Sequence, residues 1–213
     1  MIPALQSAAA RQICALAQIV PVIVVKDIAH AEPLARALVA GGLPALEVTL
    51  RTPCALDAIR AMAEVEGGTV GAGTLLTPAD VKAAKAAGAK FGVSPGLTER
   101  LVRACEDEGL PLLPGTVTAS EVMQALEWGY DVLKFFPAAT SGGAPAIKAL
   151  GGPLPQVSFC PTGGISLANA TDYLSLPNVL CAGGSWVAPD AKVQSGDWAG
   201  IETLAREAAA LPR

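Results

Sequence analysis

Eight short runs of β-branched or apolar residues recur along the 213-residue chain, each followed by a segment of helical period. The runs are PVIVVK (21–26), ALEVTL (45–50), TVGAGT (69–74), KFGVSP (90–95), LPLLPG (110–115), DVLKFF (131–136), VSFCPTGG (157–164) and NVLCAGGS (178–185). Their starting points lie 24, 24, 21, 20, 21, 26 and 21 residues apart, enough for one helical crossover each time. The intervening segments carry helix punctuation. TPADVKAAKAAGA places Thr77 at an N-cap, Pro78 at the first helical position and Gly88 near the end. LTERLVRACEDEG repeats the pattern with Thr98 and Gly109, short of a full capping box, and VTASEVMQALEWG with Thr118, Glu121 and Gly129. Strands that are apolar on both faces and joined by helices make a parallel sheet covered on its outside, and eight is the number that closes into a barrel. A doubly wound open sheet would carry a G-x-G-x-x-G turn after its first strand. PVIVVKDIAH has none, and GAGTLLT lacks the third glycine. The expected fold is α/β: a single (β/α)8 barrel domain over residues 1–213 with an N-terminal helix.

Composition narrows the function. Apolar residues make up 52% of the chain, charged residues 16%, and 22 glycines and 17 prolines supply the tight connections, a profile that argues against disorder. The net charge of −4, with no local cluster of lysine and arginine, gives no footprint for nucleic acid. The segment ICALAQIVPVIVV (13–25) is interrupted by Gln18 and Pro21, and no run approaches about 18 uninterrupted apolar residues, so neither an exported precursor nor a membrane span is expected. The five cysteines (Cys14, Cys54, Cys105, Cys160 and Cys181) are odd in number and form no C-x-x-C pair, which reads as reduced thiols in a cytoplasmic protein. The single histidine, His30, has no orienting third group that would make a Cys–His catalytic pair. One histidine and no acidic cluster also argue against a dedicated transition-metal site.

DVLKFF holds a lysine where its charge is costly. By strand alternation Leu133 and Phe135 pack outward, so Lys134 points into the barrel with Val132 and Phe136. In ALEVTLRT the same parity turns Leu46, Val48 and Leu50 toward the helices and Glu47, Thr49 and Arg51 inward. Thr74 closes the third strand, at the C-terminal rim where barrel active sites lie. One reading of these charges is a buried ion network that only holds the barrel together, but desolvation makes such networks poor stabilisers. Chemistry accounts for the set better. Burial beside a guanidinium favours the free amine, although a facing glutamate opposes it, and a free amine attacks carbonyl carbon to form a Schiff base. Arg51 offers a fork for a substrate carboxylate, Thr74 a hydroxyl, and Glu47 an acid/base. The substrate inferred from this set is a 2-oxo acid.

A second half-site is glycine-rich. PTGGIS (161–166) ends strand seven and AGGSW (182–186) ends strand eight, the two strand ends where barrels often bind phosphate through backbone N–H groups. Gly163, Gly164 and Gly184 let the backbone approach an anion, and Thr162 and Ser185 add hydroxyls. Lys26, at the end of strand one, is within reach of the same phosphate, although a lone lysine at a strand end is more often simply solvated.

Taken together, LEVTLRTPCALDAIR, VGAGT, VSPGLT, LPG, KFFPA, FCPTGGIS and CAGGSW closely resemble the class I KDPG (2-dehydro-3-deoxy-6-phosphogluconate) and 4-hydroxy-2-oxoglutarate aldolase family, over about residues 13 to 210. The resemblance implies a metal-free, cofactor-free Schiff-base aldolase on a (β/α)8 barrel, assembled as a homotrimer. It implies Lys134 as the Schiff-base lysine, Glu47 as the proton shuttle, Arg51 and Thr74 at the pyruvyl carboxylate, and Gly163, Gly164, Gly184 and Ser185 at the phosphate with Thr162 adjoining. The implied reaction cleaves a phosphorylated 2-oxo acid to pyruvate and glyceraldehyde 3-phosphate, the last step of the Entner–Doudoroff pathway. Two positions depart from the family's pattern: Ala139 where many members have glutamate, and Ser158 where many have arginine. The first affects the loop at the barrel mouth; the second starts its strand, away from the catalytic rim. Preference for 4-hydroxy-2-oxoglutarate or for the C4 epimer of KDPG stays open, as does, more remotely, a phosphate-binding isomerase or synthase barrel. A catalytically silent ligand-binding barrel would have no use for the inward Glu47, Arg51 and Lys134.

Overall fold

The computed structural model describes residues 1–212. The strands are β1 (Ile19–Ile23), β2 (Ala45–Thr49), β3 (Thr69–Gly73), β4 (Phe91–Val93), β5 (Leu112–Leu113), β6 (Gly115–Thr116), β7 (Val132–Phe135), β8 (Ser158–Pro161) and β9 (Ala182–Gly184). Every ladder is parallel. One sheet runs β5-β4-β3-β2-β1-β9 and the other β6-β7-β8. Two features join them into the expected barrel. β5 and β6 are halves of one strand interrupted at Pro114, which has no N–H to give to a ladder but whose carbonyl accepts from Lys134 N at 2.9 Å. Bridges Phe159↔Val179 and Thr162↔Gly183 then tie β8 to β9. Eight parallel strands result, with the expected eighth run (178–185) contributing a regular strand only over Ala182–Gly184.

The crossover helices are α2 (Ala31–Ala40), α3 (Ala55–Ala63), α4 (Pro78–Ala86), α5 (Glu99–Glu108), α6 (Ala119–Glu127), α7 (Gly143–Gly151) and α8 (Ala170–Leu174), and α9 (Asp190–Ser195) and α10 (Trp198–Ala209) follow the last strand. Thr77, Thr98 and Thr118 cap α4, α5 and α6, and full capping boxes form at Thr77–Asp80 and Thr118–Glu121. The Glu121 carboxylate takes both the Val117 and Thr118 N–H groups at 2.8 Å, closing donors that a helix start leaves open. Replacing Thr118 by alanine is expected to cost about 1 kcal/mol and to lower Tm by about 2–4 °C, read by thermal unfolding.

Strand alternation divides the core. Leu46, Val48, Leu133, Phe135 and Phe159 lie in the layer between strands and helices. Val20, Ala45, Phe91, Val93, Leu113, Val132, Cys160 and Cys181 fill the barrel interior together with Ala10 and Cys14. The last two belong to α1 (Pro3–Cys14), which therefore closes one end of the barrel. Gln6 and Ser7 fasten it there: Leu112 N donates to Gln6 Oε1 and Asp131 N to Ser7 Oγ, each at 2.9 Å. Arg11 adds bonds to Ser158 Oγ at 2.9 Å and to Asp131 at 3.3 Å. Ser158 thus makes its contact at the closed end, far from the strand C-termini. With that end plugged, a ligand reaches the interior from the other. No helix among the described residues is long and apolar enough to cross a membrane.

Candidate active site

Glu47 on β2 and Lys134 on β7 come from strands two and six of eight, diametrically opposed across the barrel. Both side chains point inward and meet near the axis, Lys134 Nζ donating to Glu47 Oε1 at 3.3 Å. Lys134 is 5% exposed and Glu47 3%, so the pair is held almost dry. The Phe136 ring also stands close to the amine, its centroid 5.1 Å from Nζ.

Space for the carboxylate is made by a neighbour that has no side chain. A Cβ on Gly73 of β3 would lie 2.3 Å from Glu47 Oε1, an impossible contact, so glycine is required there by close approach. Burial pushes the Glu47 carboxyl above the usual carboxylate range, and the attraction of Lys134 and Arg51 offsets only part of this. A carboxyl so placed exchanges its proton closer to neutrality than a solvated one, which suits a proton carrier.

Arg51 stands elsewhere than strand parity predicts, whereas Thr74 lies at the C-terminal end of its strand as expected. β2 ends at Thr49, so Arg51 lies beyond the ladder, exposed on the rim, and its Nε donates to Thr49 Oγ1 at 3.1 Å. Thr49 in turn donates to Ile23 O at 2.8 Å, fixing the stem on which Arg51 rests. Glu47 and Lys134 therefore touch, whereas Arg51 faces the mouth of the cavity. Thr74 sits one residue past β3, half-buried, with φ at 62°. A β-branched residue is uncommon in that left-handed region, and such strain clusters at ligand sites.

The glycine-rich ends adjoin this pair. Gly163 and Gly164 adopt φ of 101° and 74°, conformations open to glycine at little cost. Their loop is stitched to the segment after β7: Ala138 N donates to Thr162 O at 2.8 Å and Ala139 N to Gly163 O at 3.0 Å. Ala139 thus sits directly against the Gly163–Gly164 turn. Asn169, which the sequence alone did not single out, holds the turn from the other side. Its Nδ2 donates to Gly164 O at 3.0 Å and its Oδ1 accepts from Ser166 N at 2.8 Å. The spacing S-x-x-N at a helix start was the available signal. Thr162 is buried, and its hydroxyl has no hydrogen-bond partner among the described residues. Ser185 is exposed and shares a groove of about 440 Å³ with Lys26 and Asp190. Lys26 is paired with Asp190 at 2.8 Å in the open. His30 packs edge-on to Trp198, ring centroids 5.7 Å apart.

A closed barrel with one dry lysine–glutamate pair, glycine-rich turns beside it and an arginine at the mouth is a carbon–carbon lyase of the aldolase class. The family model described as "KDPG and KHG aldolase" matches residues 10–204, and the chain belongs to that family. It is 54% identical to 2-dehydro-3-deoxy-phosphogluconate aldolase of Pseudoalteromonas atlantica over 193 residues, 90% of each chain. It is also 54% identical to the KHG/KDPG aldolase of Escherichia coli (strain K12), over 93% of this chain and 94% of that one. Among solved structures, the 2-keto-3-deoxy-6-phosphogluconate aldolase of Zymomonas mobilis ZM4 with 3-phosphoglycerate superposes with a TM-score of 0.91 at 51% identity, covering 95% of both chains. The KDPG aldolase of Legionella pneumophila, with pyruvate captured at low pH as a covalent carbinolamine intermediate, gives 0.91 at 45% identity, covering 94% of this chain and 98% of that one.

Proposed function

We propose that this chain splits 2-dehydro-3-deoxy-6-phosphogluconate into pyruvate and D-glyceraldehyde 3-phosphate through an imine on Lys134. The observation that carries this reading is the dry contact between Lys134 Nζ and Glu47 Oε1 at 3.3 Å, one nucleophile and one acid/base with no other ion pair to either atom among the described residues. The free amine of Lys134 attacks the C2 carbonyl, and Glu47 supplies the proton on which the carbinolamine hydroxyl leaves as water. Glu47 then takes the proton of the C4 hydroxyl. The C3–C4 bond breaks, its electrons pass into the iminium as an enamine, and the aldehyde departs. Return of a proton to C3 and hydrolysis of the imine release pyruvate and the lysine. Arg51, exposed at the rim with its Nε on Thr49 Oγ1, turns its remaining guanidinium N–H groups to the pyruvyl carboxylate as the fork, with Thr74 as the hydroxyl donor.

Thr162, Gly163, Gly164, Gly184 and Ser185 are the phosphate side of the site. The unpartnered Thr162 hydroxyl and the two left-handed glycines support this. Ser185→Ala is expected to raise KM for the phosphorylated substrate about 5- to 10-fold while leaving KM for 4-hydroxy-2-oxoglutarate within twofold, because only the former presents a phosphate for the hydroxyl to hold. Steady-state kinetics on the two substrates read this directly.

A second reading is 4-hydroxy-2-oxoglutarate as the main substrate, favoured by the double name of the Escherichia coli relative. The test is kcat/KM for KDPG, its C4 epimer and 4-hydroxy-2-oxoglutarate on one preparation. A preference for KDPG of tenfold or more supports the first reading, and a preference for either of the others replaces it. We further propose that the chain forms one catalytic domain, works as a homotrimer in the cytoplasm and needs no cofactor. Light scattering at the mass of three chains, and turnover undiminished by chelator, are the expected results.

A further inference from the structure

Three cysteines scattered through the sequence are brought together by the barrel. Cys14 ends α1, Cys160 lies on β8 and Cys181 immediately precedes β9. Their sulfurs all lie within 4.8 Å of one another, with Cys181 Sγ donating to Cys160 Sγ at 3.5 Å. None is more than 2% exposed, and none is in a disulfide. The interior around them is mostly apolar (Val20, Ala45, Phe91, Val93, Leu113 and Val132), with the Glu47–Lys134 pair as the neighbouring charges. The thiols therefore have mainly one another as partners.

Three convergent sulfurs in a dry pocket are the donor set of soft cations. A metal–sulfur bond of about 2.3 Å spaces sulfurs about 3.8–4.0 Å apart around a tetrahedral or trigonal centre. The cluster reaches that spacing with sulfur movements of under about 1 Å. A cavity of about 10 Å³, room for about one water, adjoins Cys14, Cys160 and Glu47 and connects the cluster to the active-site carboxylate.

We infer that Cys14, Cys160 and Cys181 form a binding site for one soft, thiophilic cation of the Zn²⁺, Cd²⁺ or Cu⁺ kind at the barrel floor, and that its occupation slows the enzyme. For a divalent ion, three S–H bonds break, three metal–sulfur bonds form and three protons leave to solvent. Where three neutral thiols stood, the site then carries a net charge of one minus. Cys160 stands directly opposite Lys134 in the β7–β8 register and lines the same small cavity as Glu47, so the new negative charge lies beside the Lys134–Glu47 pair and disturbs its contact. The inhibitory half of this inference rests on the aldolase reading above; the binding half does not.

The test is anaerobic titration of the reduced, full-length protein with CdCl₂, following the ultraviolet thiolate-to-cadmium charge-transfer band and aldolase turnover together. The expected result is an endpoint at one cadmium per chain, with turnover falling about tenfold or more in step and returning on chelation. Cys181→Ser and Cys160→Ala lose the band, and Cys54→Ser keeps it. Because a buried substitution can disturb folding, X-ray absorption at the zinc edge on the unsubstituted protein loaded with one equivalent of ZnCl₂ reads the site independently, through three sulfur neighbours at about 2.3 Å. No band, a band that survives in both cluster variants, or a zinc shell of oxygen and nitrogen alone overturns the site. Full turnover at one bound cadmium overturns the inhibition and leaves the site standing.

Discussion

Lys134→Met is expected to leave no pyruvate adduct for borohydride to trap and to lower turnover by on the order of 10⁵-fold, because it removes the buried amine held beside Glu47 in the barrel interior. Methionine fills much of the lysine stem's volume, so the packing against Val132 and Phe136 changes little. The electrostatic change is larger. Glu47 loses the cation 3.3 Å away, and a buried carboxylate left without a partner is costly. Its folded-state pKa already lies above the ordinary 4.5 through burial, and losing Lys134 raises it further. The native state then holds the proton more tightly than the unfolded chain does. The destabilisation of Lys134→Met relative to the parent is accordingly smallest below pH 4.5 and grows as the pH rises toward the folded-state value. Adding Glu47→Gln to Lys134→Met removes the stranded acid. The double variant is expected to regain most of the lost Tm at neutral pH and none of the turnover. Recovery of stability without activity separates the chemical role of the lysine from a structural one. A borohydride-stable adduct on another residue, or a rate loss under tenfold, would sink the Schiff-base mechanism.

What the sequence disclosed about this molecule is what has a short period. The β–α repeat is local, so all eight strands and the caps of three helices were legible, and period-two alternation placed Glu47 and Lys134 inside before any contact was known. Parity fails where the strand stops. Arg51 was read as continuing its ladder, but β2 ends at Thr49, and beyond a strand's last pair alternation no longer dictates direction. The break at Pro114 has the same origin: LPLLPG reads as one strand, and only the missing N–H splits it into β5 and β6. Long-range coincidence was invisible. Cys14, Cys160 and Cys181 look unrelated along the chain, yet Cys160 and Cys181 are one repeat of 21 residues apart and α1 delivers Cys14 to the same floor. The same blindness hid the reason for Gly73, a glycine that matters for a carboxylate 26 positions earlier.

Glu47→Gln keeps the shape of the side chain and removes its ability to carry a proton, so it tests whether the carboxyl acts in the reaction or only as a counter-ion for Lys134. If it acts, kcat falls by about 10²- to 10⁴-fold, the range of a positioned acid/base. The imine still forms, more slowly, so borohydride continues to trap pyruvate on Lys134. Exchange of the pyruvate methyl protons with deuterated solvent, which needs a base at C3 and no aldehyde at all, is expected to fall by the same factor as kcat. The pH profile gives an independent reading. Because burial pushes the Glu47 carboxyl upward, the acid limb of the exchange reaction in the parent enzyme lies above the usual carboxylate range, and activity is lost as the pH falls through it. Glutamine does not titrate, so that limb disappears in the variant. A counter-ion role predicts the reverse on both measurements: exchange at near-parental rates once the imine has formed, and an acid limb that survives the substitution. The dry 3.3 Å contact is compatible with either role, and the exchange rate tells them apart because it isolates the proton transfer from the carbon–carbon bond.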